Sequence, residues 1–273
     1  MSKRLFSTPF LSLLAVGCAA GSSALQYGVP TTSEVRYAYA DTSAVEVNVM
    51  GQNLEMTQRG IAEYAVSFAP AADGVNVTMS VIDLDATLSQ PMGAPVRVDE
   101  SDVEGALVFK LDRFGNSVVA ERPRVEVTAS QMVSGLALAH SFFPGLSGRA
   151  AEVGDGWVDT VSYEGREADG RRSERSILRY TVVGDTVVGN RSLTKLSFEG
   201  TSQSSAELQV SGMAVSQQSE VDVEGYVLWD APAGLMIERR STGIGAGTAS
   251  VPIAPNPLPI RVRTTQWVKL QGN

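Results

Sequence analysis

Apolar and polar residues alternate along most of this chain. Val45, Val47 and Val49 alternate with Glu46, Asn48 and Met50. The same period of two runs through Tyr64, Val66 and Phe68, through Val75, Val77, Met79 and Val81, and through Leu107, Phe109 and Leu111. Each run stops at Gly, Asp, Asn or Pro, so the pattern predicts half-buried antiparallel strands joined by turns. Further strands are predicted over residues 177–183, 192–198, 206–215 and 221–229, with a closing strand over 260–270 after a proline-rich link at 252–259. One stretch departs from this rhythm. Over residues 129–143, Met132, Val133, Leu136, His140 and Phe143 share one face at helical spacing. Thr128 or Ser130 suits its N-cap, and Pro144 stops it.

The two halves resemble each other. Asp102-Val103-Glu104-Gly105-Ala106-Leu107-Val108-Phe109 is similar to Asp222-Val223-Glu224-Gly225-Tyr226-Val227-Leu228-Trp229, and Tyr64-Ala65-Val66 to Tyr180-Thr181-Val182. Self-similarity at such a spacing points to a duplicated supersecondary unit. The expected fold is therefore mainly β, two similar antiparallel β units, as a curved sheet or half-barrel, around one central helix. The expected divisions are 34–127 for the first unit, 128–150 for the helix and link, and 151–273 for the second unit.

The beginning of the chain reads as an address. Lys3 and Arg4 precede an apolar run from Leu11 to Val16. That run is too short for a permanent membrane span of about 20 residues and fits a secretory leader over 1–17. Leu14-Ala15-Val16-Gly17-Cys18 then resembles the lipobox of bacterial lipoproteins, and Cys18 is the only cysteine. The resemblance implies cleavage before Cys18, lipidation of Cys18, and attachment to a membrane through that lipid. With Ala19 in the next position, it implies the outer membrane of a two-membrane envelope, facing the periplasm. Residues 18–33, small and polar with Gly and Pro, read as a lipidated start and flexible tether.

Taken with the lipobox, the two β-rich halves, the apolar helix and Val153-Gly154-Asp155-Gly156-Trp157, the chain resembles a class of uncharacterised bacterial lipoproteins. More distantly its plan resembles periplasmic lipoprotein-carrier proteins of half-barrel form, in which a curved antiparallel sheet wraps apolar helices.

Charge and composition narrow the chemistry. With 22 Lys+Arg against 30 Asp+Glu the net charge is −8, and loss of Lys3 and Arg4 with the leader would lower it further. An acidic balance argues against nucleic acid as a partner. One His and one Cys exclude an internal disulfide and zinc sites built from several His or Cys. No Gly-x-Ser-x-Gly elbow accompanies His140, so it reads as a helix C-terminal or core residue. Glu220, Asp222 and Glu224 form a row at strand spacing, a weak candidate for a hard cation, although Val221 and Val223 on the opposite face mark the row more simply as solvated. Asp83 with Asp85, and Asp102 with Glu104, repeat that spacing. Gly243-Ile244-Gly245-Ala246-Gly247 lacks the Lys-Ser/Thr of a phosphate loop and reads as a bend or bulge. The basic run Arg171-Arg172-Ser173-Glu174-Arg175 has no interleaved aromatics.

No cofactor is expected. The leading reading is a non-enzymatic, lipid-anchored cell-envelope protein with a hydrophobic ligand, lined by Met132, Leu136, Leu138, Phe142, Phe143 and Trp229. The alternative is a structural or assembly partner of another envelope protein. A third is a carboxylate-dependent hydrolase, which requires two acids across a cleft.

Overall fold

A computed structural model describes residues 24–49, 51–91, 93–210, 213–252 and 254–272. The leader at 1–17 and the expected lipidation at Cys18 lie outside the described residues.

The chain folds into a curled antiparallel sheet, a half-barrel. In chain order its strands are β1 (Glu34–Val49), β2 (Gln52–Ala71), β3 (Gly74–Ser89), β4 (Val96–Asp99), β5 (Val103–Glu104), β6 (Leu107–Asp112), β7 (Ser117–Glu121) and β8 (Arg124–Val125). A short helix, α1 (Gly135–Ser141), separates these from β9 (Gly156–Glu167), β10 (Gly170–Val188), β11 (Arg191–Val210), β12 (Met213–Asp230), β13 (Leu235–Ser250) and β14 (Leu258–Leu270). The sheet order is β7-β6-β3-β2-β1-β14-β13-β12-β11-β10-β9, with β4 alongside β3 and a separate β5–β8 pair. The alternating runs thus mark real strands, and Tyr64, Val66, Phe68, Val75, Val77, Met79, Leu107, Phe109 and Leu111 all point into the core.

The two expected β units are one sheet. β1 pairs with β14 from Tyr37↔Leu270 to Val47↔Ile260, welding the first half to the second. The similar segments also take different forms. Gly105 adopts φ +91° and breaks the first copy between β5 and β6, whereas Gly225 lies inside the unbroken β12. What the copies share is placement: Phe109 and Trp229 are both fully buried.

Inward glycines let the sheet curl. Along β11 to β13 the residues facing the interior include Gly200, Gly225, Gly243, Gly245 and Gly247. A Cβ on Gly200 would stand 2.0 Å from the Ile177 carbonyl oxygen, and one on Gly245 2.0 Å from that of Glu220. Neighbouring backbones approach too closely there for any side chain, which is how a strand interior acquires sharp coiling. The glycine-rich run is therefore a bend, within β13.

The expected helix is shorter than its stripe. A 3-10 turn covers Ala129–Gln131, and α1 begins only at Gly135. Ser134 is extended, and its hydroxyl accepts from the Ala137 amide at 3.0 Å, so it is the N-cap. Thr128 makes no capping bond, and the Ser130 hydroxyl instead donates to the Val127 carbonyl. α1 packs against β6 and β7 from one edge of the sheet and β9 from the other, so it plugs the opening of the half-barrel. Leu136 fills a socket left by Gly165. Glu167 accepts from the Ser134 hydroxyl and the Leu136 amide. Among the described residues no helix is long and apolar enough to cross a membrane.

Below α1 the interior is filled. Phe142 and Phe143 lie 4.9 Å apart, Phe142 packs edge-on to Tyr37, and Tyr27 packs edge-on to Trp229. Each such buried ring contributes ~2–3 kcal/mol through apolar burial. Tyr27 corrects the tether reading. Within the stretch 18–33, Leu25 and Tyr27 are 2% and 4% exposed, their amides bond the carbonyls of Arg149 and Arg113, and the Tyr27 hydroxyl donates to the Pro144 carbonyl. Two large apolar side chains outweigh the small polar composition around them.

Candidate functional site: a half-filled concave face

The main strands are longer than the plug. β2 and β11 have 20 residues each, about 65 Å of extended chain. In β2 the buried residues, from Gly60 to Phe68, lie in the C-terminal part, and residues 52–59 are only half-buried or exposed. The concave face therefore continues past α1 as a groove. Two adjoining cavities of about 390 and 360 Å³ occupy it, and both are walled by Tyr39, Asp41, Ser141 and Glu174.

The wall is a polar belt between apolar zones. Ser176 on β10, Ser202 and Ser204 on β11, Ser219 on β12, Ser241 on β13 and Thr264 on β14 face the larger cavity. Beyond them Val45, Val47, Val221, Ile260 and Val262 form a separate apolar cluster. The hydroxyls arise from ordinary period-two geometry: Phe198, Gly200, Ser202 and Ser204 are successive inward positions of one strand.

Glu174 organises this belt. One carboxylate oxygen accepts from Ser176 and Ser202 at 2.9 Å each, and the other from the Tyr163 hydroxyl at 2.7 Å. Burial and Glu174 push the Tyr163 phenol well above its ordinary range, so it remains a donor. The His140 ring stacks on Tyr163 at 5.2 Å, and its Nδ1 lies 2.7 Å from the Ser117 hydroxyl. Burial lowers the His140 pKa, partly offset by Glu174. Ser117 is not part of either cavity wall.

Two further carboxylates face the groove. Burial pushes Asp41 up to about 6 against a 3.4 Å bond from Gln58. Burial also raises Asp159, opposed by Arg239 and the backbone amides of Thr160 and Gly145. Arg239 is 7% exposed. Its guanidinium donates to the Ser141 carbonyl at the end of α1 and lies 5.4 Å from the Phe198 ring centre. Its Nε is buried without a hydrogen-bond partner.

The residues expected from sequence to line a ligand site divide three ways. Met132, Leu138 and Phe142 border the smaller cavity and Phe143 the larger. Leu136 and Trp229 border neither; Trp229 is sealed in the core. The hydroxyl belt, Asp41, Glu174 and Arg239 escaped the sequence reading, although the spacing of Ser202 and Ser204 behind Phe198 carries the signal. Glu220, Asp222 and Glu224 lie on the convex side, where Gln203 donates to Glu220 at 2.7 Å. Among the described residues no three His, Cys, Asp or Glu converge as a metal site. Trp157 stacks on Tyr180 at 5.4 Å, and Trp267 sits outside between Arg240 and Lys269.

No protein-family model matches the chain, and neither does any curated protein. Among solved structures, one showing lipid–protein interactions in lipovitellin is similar at TM-score 0.47 and 14% identity, over 88% of this chain and 25% of that one. The chain thus spans a quarter of the lipovitellin chain. Outer-membrane β-barrel structures also match: the β domain of the Bordetella autotransporter BrkA at TM-score 0.25 and 8% identity, over 87% of this chain and 99% of that one, and OccK5 of Pseudomonas aeruginosa at TM-score 0.23 and 8% identity, over 87% and 99%. These likenesses concern the arrangement of strands.

Proposed function

We propose that this is a non-enzymatic, lipid-anchored protein of the bacterial cell envelope that holds an amphiphilic ligand, such as a lipid, in the concave groove. One observation carries the reading: the strands continue past the plug and leave an open, built cavity with hydroxyls in its middle and valines at its rim. An apolar chain would gain roughly 25 cal/mol per Å² buried there, while the hydroxyl belt would match its polar end. Phe142 and Phe143 serve as the floor. The membrane address rests on the leader and lipobox resemblance at Cys18.

Absence of catalysis is part of the proposal. Glu174 is occupied by three hydroxyls, and His140, on the wall of the larger cavity, is bonded to Ser117, which lines neither cavity. The test is fluorescence titration of the full-length protein with the neutral apolar dye N-phenyl-1-naphthylamine. Micromolar binding that is abolished by Ser202→Trp, with the thermal midpoint retained, supports the reading. Binding unaffected by Ser202→Trp, or no binding at all, overturns it.

A further inference from the structure

The convex face carries a second concavity, outside the barrel and unconnected with the ligand reading. It measures about 580 Å³ and lies across β9 to β13. Gly200 and Gly243, whose inward side is too crowded for a Cβ, lie beneath it. Its walls are apolar: Val158 and Ile177 on one side, Ile244 on the other, 56%, 40% and 68% exposed. Cross-strand register places Ile177 beside Thr201, Thr201 beside Asp222, and Asp222 beside Ile244. Three strand spacings separate the walls, about 14 Å, enough to admit one extended segment or one helix.

Its electrostatics are unbalanced. Glu199 and Glu224 stand directly opposite each other on neighbouring strands, an arrangement in which like charges repel. Asp222 adjoins them, and Arg179, directly across from Glu199 on β10, is the single cation in the wall against three carboxylates. Among the described residues none of the three carboxylates forms an ion pair within 4.0 Å. Exposed isoleucines framed by an excess of acids are complementary to a segment that carries Lys or Arg beside apolar side chains. They are ill suited to an anionic lipid surface, which would be repelled. They are equally ill suited to the same patch on a second copy, since a two-fold contact would set acids against acids.

We infer that this hollow, walled by Val158, Ile177 and Ile244 and charged by Glu199, Asp222 and Glu224, docks a cationic, apolar-studded segment of another protein. The first test uses the purified full-length protein and three capped heptapeptides: alternating lysine and leucine, lysine and serine, and glutamate and leucine. The lysine–leucine peptide is expected to bind at least tenfold more tightly than either other. Ile244→Ser and the double change Glu199→Gln with Glu224→Gln should each weaken it at least fivefold. Val187→Ser, exposed on β10 outside the groove, should leave it unchanged. Equal binding of the lysine–serine peptide, or indifference to these variants, overturns the inference. The second test places a photo-crosslinking amino acid at Ile244 in cells. Capture of a peptide with basic and apolar residues together supports the proposal. Crosslinks only to lipid or to a second copy, or none beyond those from position 187, refute it.

Discussion

Replacing Gly200 by alanine puts a methyl carbon 2.0 Å from the Ile177 carbonyl oxygen, 2.9 Å from its carbon and 3.0 Å from the Leu178 Cα. All three atoms are backbone of β10, so no side chain can swing aside. The strands must part by roughly 1 Å to restore ordinary contact. That weakens one or two ladder hydrogen bonds at ~1 kcal/mol each and adds ~1–3 kcal/mol of overpacking. Loss of glycine's freedom in the unfolded chain returns ~0.4–1 kcal/mol. The expected net loss is about 3 kcal/mol, read by equilibrium urea unfolding with an unchanged dependence on denaturant. Gly245→Ala should behave alike, because its nearest neighbour is the Glu220 carbonyl oxygen at 2.0 Å. Gly243→Ala should cost less, because the crowding atoms are the movable tips of Thr264 and Val221. Gly28, with nothing within 4 Å, is the control. Should Gly200→Ala lose under about 0.5 kcal/mol, or fall level with Gly28→Ala, the account of how this sheet curls is wrong.

Other outcomes follow from the same contacts. Asp41 titrates near 6 when folded and 3.8 when free, so the wild type loses stability as pH rises through that interval. Asp41→Asn should come level with the wild type near pH 3 and exceed it by up to ~3 kcal/mol at pH 8, seen in paired denaturation curves. Trp229→Ala should cost ~3–5 kcal/mol by leaving a core cavity, measured in the same way. Glu174→Ala leaves three hydroxyls without their acceptor and should cost ~1–3 kcal/mol. The Leu25 and Tyr27 amides, bonded to Arg149 and Arg113, should exchange hydrogen slowly. Rapid exchange there would restore the tether reading.

Strand identity was legible because one face of each strand is packed, and packing imposes period two on residues such as Tyr64, Val66 and Phe68. Continuity of the sheet was not, because the β1–β14 register joins residues more than two hundred positions apart and leaves no local mark. The helix was over-read for a related reason. Met132 and Val133 do pack inward, but from the turn before α1, where extended Ser134 interrupts the helix without disturbing the apolar spacing. Of the groove only the apolar lining was legible, in Met132, Leu138, Phe142 and Phe143. Its wall is mixed, and serines at inward positions look like surface residues in a one-dimensional pattern.

The most direct test of the central proposal is native mass spectrometry of the full-length protein extracted from its own membranes. The account predicts a non-covalent adduct of lipid mass, additional to any covalent modification, that collisional activation releases and that Ser202→Trp eliminates. A bare folded protein under those conditions, or an adduct that Ser202→Trp retains, would contradict it.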